Sequence, residues 1–176
     1  MFSALKNRLA KFIVKRKYVG KNPPQISFNN FITNSVYYFV IMPEDSHDFE
    51  NCLSILKFFD TNKKNVTVFI PEKNKNLVPG SAKFKFVTYN ESDLTKLGIP
   101  NHVFVKRLRK KDFDLVIDLN LNDNILASAV TNIVSSNFRV GFVKTDSDKY
   151  YNLQFNKEQN NSEISYKNLL NSLGMF

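Results

Sequence analysis

The sequence predicts an α/β fold: a single Rossmann-like three-layer domain with a mostly parallel sheet, preceded by a basic amphipathic helix. Three observations predict it. Short β-branched and aromatic runs alternate with helix-patterned segments along the chain, the order that builds βαβ units. The run Val36–Met42 is apolar without alternation, as strands covered on both faces are. The chain has 176 residues, 43% of them apolar, with 17 Phe and 7 Tyr, which suits one packed domain of roughly 100–200 residues.

Residues 1–19 read as the helix. Phe2, Leu5, Leu9, Phe12 and Ile13 recur at three- and four-residue spacing and line one stripe. Arg8, Lys11 and Lys15 fall on the other side with Lys6 and Lys17 flanking, and Gly20 and Pro23-Pro24 stop the pattern. The net charge of +9 concentrates here, because Lys6, Arg8, Lys11, Lys15, Arg16, Lys17 and Lys21 precede the first acid, Glu44. Two readings stay open. In one the helix lies on an anionic membrane surface, with Phe2, Leu5, Leu9 and Phe12 among the lipids and Lys6, Arg8, Lys11 and Lys15 facing headgroups. In the other it packs on its own domain with its basic side solvated.

Residues 20–34 read as a linker and 35–176 as the domain. Its first strand, 36–42, leads into a helix over 46–60 with Phe49, Cys52, Leu53, Leu56 and Phe59 toward the core. Asn65–Ile70 is a β-branched strand closed by Pro71, followed by a polar loop over 72–83 with at most one helical turn. Phe84–Thr88 is a third strand, and Asn90-Glu-Ser-Asp has the pattern of a helix start. A basic-faced helix follows over 102–111, then the clearest strand, Phe113–Leu119. Asp123–Ser136 reads as a helix, Arg139–Val143 as a fifth strand, and Tyr151–Phe155 as a sixth. Ser162–Leu173 closes as a helix, with Ser162 as cap and Gly174 as stop.

Several chemistries are excluded. The apolar runs are far shorter than the ~20 residues that span a bilayer. Charges interrupt every segment that might serve as a secretory signal. One cysteine forbids an internal disulfide and a multi-cysteine zinc site. The chain has no G-x-G-x-x-G, P-loop or G-x-S-x-G motif, so no cofactor and no metal are expected. Five arginines against 20 lysines argue against nucleic acid as a partner read through its bases.

Ligands of open α/β sheets bind beyond the carboxyl ends of the strands. There the sequence places Pro43-Glu-Asp-Ser-His-Asp48 after the first strand, Asp118-Leu-Asn120 after the fourth and Gly141-Phe-Val-Lys144 after the fifth. Asp48 reads either as a general base with His47 as its modulator, or as a first-turn carboxylate favoured by the helix dipole. Asp118 reads as a structural anchor for its loop, and Cys52 as core packing.

The unit Val40-Ile41-Met42, its loop, His47-Asp48 and the helix to Phe59 resembles the opening of glycosyltransferase family 9, the heptosyltransferases of lipopolysaccharide synthesis. Lys111-Asp-Phe-Asp-Leu-Val-Ile-Asp-Leu-Asn120 and Asn137-Phe-Arg-Val-Gly-Phe142 resemble two later strands of that family, and Ser165–Gly174 its outgoing helix. The likeness covers roughly residues 35–174. It implies that Asp48 activates an acceptor hydroxyl. His47 stands where the family has glycine, and Met42 where a basic residue is usual. Family enzymes have a second domain that holds the nucleotide sugar.

The expectation is therefore an acceptor-side domain that transfers nothing alone, or one that works with a separate donor-binding domain or chain on a sugar or lipid-linked acceptor. The localisation implied is cytoplasmic, on the inner face of the cytoplasmic membrane. The alternative is a non-enzymatic interaction domain that binds lipid or nucleic acid through the basic helix.

Overall fold

A computed structural model describes residues 2–20, 31–158 and 161–175 of the chain, without the side chains of residues 2–4 and 31. Helix α1 spans Phe2–Tyr18 and α2 Phe31–Asn34. The sheet strands are β1 (Tyr37–Ile41), β2 (Asn65–Pro71), β3 (Lys85–Tyr89), β4 (Asp112–Asp118), β5 (Ser135–Phe142) and β6 (Leu153–Phe155). Between and after them run α3 (Ser46–Thr61), α4 (His102–Leu108), α5 (Ile125–Ile133) and α6 (Ser162–Leu173).

All strand pairs are parallel, in the order β3-β2-β1-β4-β5-β6. Successive strands first extend the sheet to one side of β1 and then, from β4, to the other. The order thus reverses between β1 and β4, where the loops at their carboxyl ends part and leave a crevice. Both faces are covered, which explains the unbroken apolar runs. Tyr38, Val40, Leu115 and Ile117 join a core with Ile55, Phe59, Tyr166 and Leu169 of α3 and α6. Phe39, Ile41 and Val116 face the opposite way, toward Phe104, Ala129 and Val130 of α4 and α5.

Helix α1 lies on α5, burying Ala10 and Val14 completely. Lys11 Nζ reaches Asp123 at 3.0 Å and Lys15 Nζ lies 4.0 Å from Asp146. The apolar residues of α1 therefore divide between two faces. Ala10, Val14 and half-buried Ile13 meet the domain, whereas Leu5, Leu9 and Phe12 are 66%, 49% and 57% exposed.

Some boundaries differ from the sequence expectation for local reasons. Part of the expected linker forms α2, whose last carbonyls receive Lys64 Nζ; residues 21–30 lie outside the described residues. The 72–83 segment carries two 3₁₀ stretches, Glu72–Leu77 and Ser81–Lys83, rather than a single turn at most. Asn90 does cap a turn, but the helix ends at Asp93, because Gly98 at φ 74° folds the chain back and Leu94 bridges Pro100. The expected helix 102–111 stops at Leu108, and the one over 123–136 ends at Ile133, where β5 begins almost at once. The cap of α6 is Asn161, whose Oδ1 accepts from Ile164 N at 3.0 Å, and not Ser162, which is its first helical residue. Among the described residues no helix is long and apolar enough to cross a membrane.

Candidate functional site

The loop after β1 ends in Asp45, the cap of α3, whose Oδ1 accepts from the His47 and Asp48 amides at 3.0 Å each. That cap fixes Asp48 in the first turn, at the carboxyl rim of the sheet. Asp48 is half-buried, and desolvation followed by the nearby Asp45 charge raises its pKa above the ordinary aspartate value. A hydrogen bond with Ser162, and the charges of His47 and Lys157, oppose the rise without cancelling it. The result is a carboxylate with raised proton affinity, the property a general base needs.

Beside Asp48 stands Ser162, which opens α6. Asn51 Nδ2 donates to its Oγ at 2.7 Å, and its Oγ lies 3.1 Å from His47 Nδ1. The single Ser162 hydroxyl proton thus has two acceptors within reach, the imidazole and the Asp48 carboxylate. Asn51 stands one helical turn after His47, 3.4 Å from the same ring nitrogen. The opposite wall comes from Leu121 and Asn122 after β4 and from Lys157 after β6, whose Nζ donates to Leu121 O at 2.9 Å. His47, Asp48 and Ser162 line an open cavity of about 370 Å³ with Leu121, Asn122 and Lys157, and Asn51 supports it from behind through Ser162.

The loop after β4 is set by a buried network that the sequence only hinted at. Asp118 and Lys144 have side chains 0% and 4% exposed and meet at 2.9 Å. Asp118 Oδ2 also accepts from the Tyr151 hydroxyl, and its Oδ1 accepts from Asn120 N at 2.9 Å and Asn120 Nδ2 at 2.7 Å. With four donors on its two oxygens this carboxylate is fully occupied, so it works as an anchor and not as a base. Lys144 Nζ donates further to Asn120 O, and Tyr166 OH to Leu119 O. Gly141 is required here: a Cβ on it would stand 2.8 Å from the Tyr151 ring that reaches Asp118.

Of the residues singled out in the sequence, His47 and Asp48 come together in the crevice. On α1, Leu5, Lys6, Arg8, Leu9 and Phe12 are exposed, and the Phe2 side chain lies outside the described residues. Lys11 and Lys15 point to Asp123 and Asp146, so they tie the helix down instead of facing outward as expected. Asn51, Lys157 and Ser162 went unread as site residues. Only the four-residue spacing of His47 and Asn51 signalled any of them. Cys52 is buried, its Sγ donates to Phe49 O, and burial raises its thiol pKa. Among the described residues no group of three or more His, Cys, Asp or Glu side chains is arranged to hold a metal ion.

Comparison with solved structures gives the fold a counterpart. The chain is similar to Escherichia coli heptosyltransferase WaaC with ADP, with TM-score 0.62 and 14% identity over 78% of this chain and 46% of that one. It is similar to the same enzyme with ADP-2-deoxy-2-fluoro heptose, with TM-score 0.62 and 12% identity over 80% and 49%. The chain thus spans about half the length of the structures it matches, and shares their Rossmann-like fold. No curated protein matches it in sequence. A family model does, over residues 6–176, and the chain belongs to that family, described as Family of unknown function (DUF6913).

Proposed function

We propose that this member of DUF6913 is a glycosyltransferase-like acceptor-side domain, which seats a sugar hydroxyl in the crevice at the switch point and transfers nothing by itself. The observation that carries the reading is Asp48, a carboxylate of raised proton affinity at the mouth between β1 and β4. In the reaction, the acceptor oxygen bonds to the anomeric carbon of a nucleotide-activated sugar and gives its proton to Asp48. The bond from that carbon to the diphosphate breaks, and the nucleoside diphosphate leaves. His47, Asn51 and Ser162 orient the hydroxyl. The nucleotide sugar is assigned to a second domain or chain, since the heptosyltransferase neighbours seen with ADP ligands are about twice as long.

Calorimetry with ADP- and UDP-sugars tests the assignment of the donor. No saturable heat is expected, and saturable heat would show that this chain holds the donor itself. In a reconstituted complex, Asp48→Asn is expected to slow transfer by about 10²–10⁴-fold. An unchanged rate would remove Asp48 as base.

A second feature favours a place at the cytoplasmic face of an anionic membrane. Leu5, Leu9 and Phe12 form an outward stripe on a helix without an acid, beside exposed Lys6, Arg8, Arg16 and Lys17. Lys11, through Asp123, ties that helix to the residue after the crevice-wall Asn122, which would bring a lipid-linked acceptor near the site. Pelleting with anionic vesicles should weaken with salt and with Leu9→Ser/Phe12→Ser. Equal pelleting of that variant would end the membrane reading.

A further inference from the structure

Arg139 sits in the middle of β5, paired in register with Val116, and faces the α5 side of the sheet. Its guanidinium is half-buried, yet no carboxylate lies within ion-pair distance of it among the described residues. Among the described residues its side-chain hydrogen bond runs from Nε to Thr131 O at 3.2 Å, which leaves the two terminal nitrogens for something else. Desolvation lowers its pKa. A guanidinium drawn out of water without a counter-charge is costly, and the fold keeps it.

It lines a cavity of about 520 Å³ between Tyr18 at the end of α1 and the segment 148–152. The other charges nearby cancel. Lys15 and Lys149 stand beside Asp146 and Asp148, with Lys149 bonded to Asp146. Arg139, Asp148 and Lys149 are the charged residues of the lining, and among the described residues the guanidinium has no acid within ion-pair distance. Its free edge offers the two parallel N–H donors that match an oxyanion bidentately, and the cavity has room for more than a bare ion.

We propose that this cavity is a binding site for a phosphomonoester, held through the terminal nitrogens of Arg139. It lies on the helix-covered face of β5, apart from the rim crevice of Asp48, and does not depend on the acceptor-side reading. The group bound could be a soluble phosphate ester or a lipid headgroup, which offer the same oxygens.

The chain has five arginines, so its guanidinium Nε–Hε spectrum is sparse. The Arg139 Nε–Hε donates to the Thr131 carbonyl, which slows its exchange with water. Titrating the full chain with inorganic phosphate should move that resonance saturably, while sodium chloride and acetate at matched ionic strength leave it in place. Arg139→Met should bind phosphate at least about tenfold more weakly. A response to vesicles containing phosphatidic acid, with none to soluble phosphate, would keep the oxyanion and assign it to a headgroup. The proposal is overturned by an unmoved resonance with both probes, by equal movement with chloride or acetate, or by undiminished binding to Arg139→Met. If that variant does not fold, the wild-type titration decides alone.

Discussion

Lys144→Met is the sharpest probe of what holds the crevice wall. It removes the ammonium that binds Asp118 and Asn120 O while roughly keeping the side-chain volume. Breaking a buried ion pair by removing one partner costs about 3–5 kcal/mol, because the other charge stays buried. Asp118 is 0% exposed, but it keeps the Tyr151 hydroxyl and both Asn120 donors. That residual solvation places the cost at the lower end, about 3 kcal/mol. With a urea slope of about 2 kcal/mol/M, the unfolding midpoint should fall by ~1.5 M. Lys144→Met/Asp118→Asn, which removes the stranded charge, should recover part of that loss in a double-mutant cycle. A single-variant loss below about 1 kcal/mol, or a double variant no better than the single, would mean that water or another group solvates Asp118.

Four further outcomes are expected. Gly141→Ala should cost about 1–3 kcal/mol in urea melts, because its Cβ collides with the Tyr151 ring at 2.8 Å. Asp48 has a raised folded-state pKa, so its protonation favours folding below the unfolded pKa, and that contribution is lost as pH rises through the folded value. Asp48→Asn should therefore stabilise the protein at pH 7 and leave it unchanged near pH 3; a loss at pH 7 would show that the α3 dipole outweighs desolvation. Cys52 should resist a thiol reagent at pH 8 until urea unfolds the chain, since its buried thiol is held protonated. Phe12→Ser should change the unfolding free energy by no more than about 0.5 kcal/mol, because Phe12 is 57% exposed.

The strands were legible because a parallel sheet buries both faces, and an uninterrupted run such as Tyr37–Ile41 has few other uses. β5 starts four residues before the sequence predicts, at Ser135: Ser135-Ser-Asn is polar and partly exposed, so the preceding helix pattern runs into it. Asp48 and His47 could be picked out as candidates because ligands of such a sheet bind beyond the carboxyl ends of its strands, where the first crossover starts. Ser162 and Lys157 could not, since they meet His47 and Leu121 only after more than thirty intervening residues and carry no local pattern. Asp118 was read correctly as an anchor, but its partner Lys144 was visible only as a basic residue after another strand. Arg139 belongs to a strand motif in the sequence; what sets it apart is that no acid among the described residues pairs with it, which no linear pattern records.

The N-terminal helix shows how a correct period can still mislead. A surface helix needs one apolar stripe, and the sequence supplied Leu5, Leu9, Phe12 and Ile13 as if they formed it. The domain takes Ala10 and Val14 instead, whose small side chains let α1 lie close on α5, and secures them with Lys11 and Lys15. The packing reading therefore describes the inner face, and the membrane proposal concerns the outer one. Packing on the domain uses one side and leaves three large apolar side chains on the other, among cations with no acid in the helix. Exposing Leu5, Leu9 and Phe12 in a row gains the isolated domain nothing. Because the inner face already holds α1 in place, a surface engaged by the outer face would not cost the ordering entropy of a free amphipathic helix. Disrupting the two faces should thus separate cleanly: Ala10→Leu lowers stability, whereas Leu9→Ser lowers vesicle binding at unchanged stability.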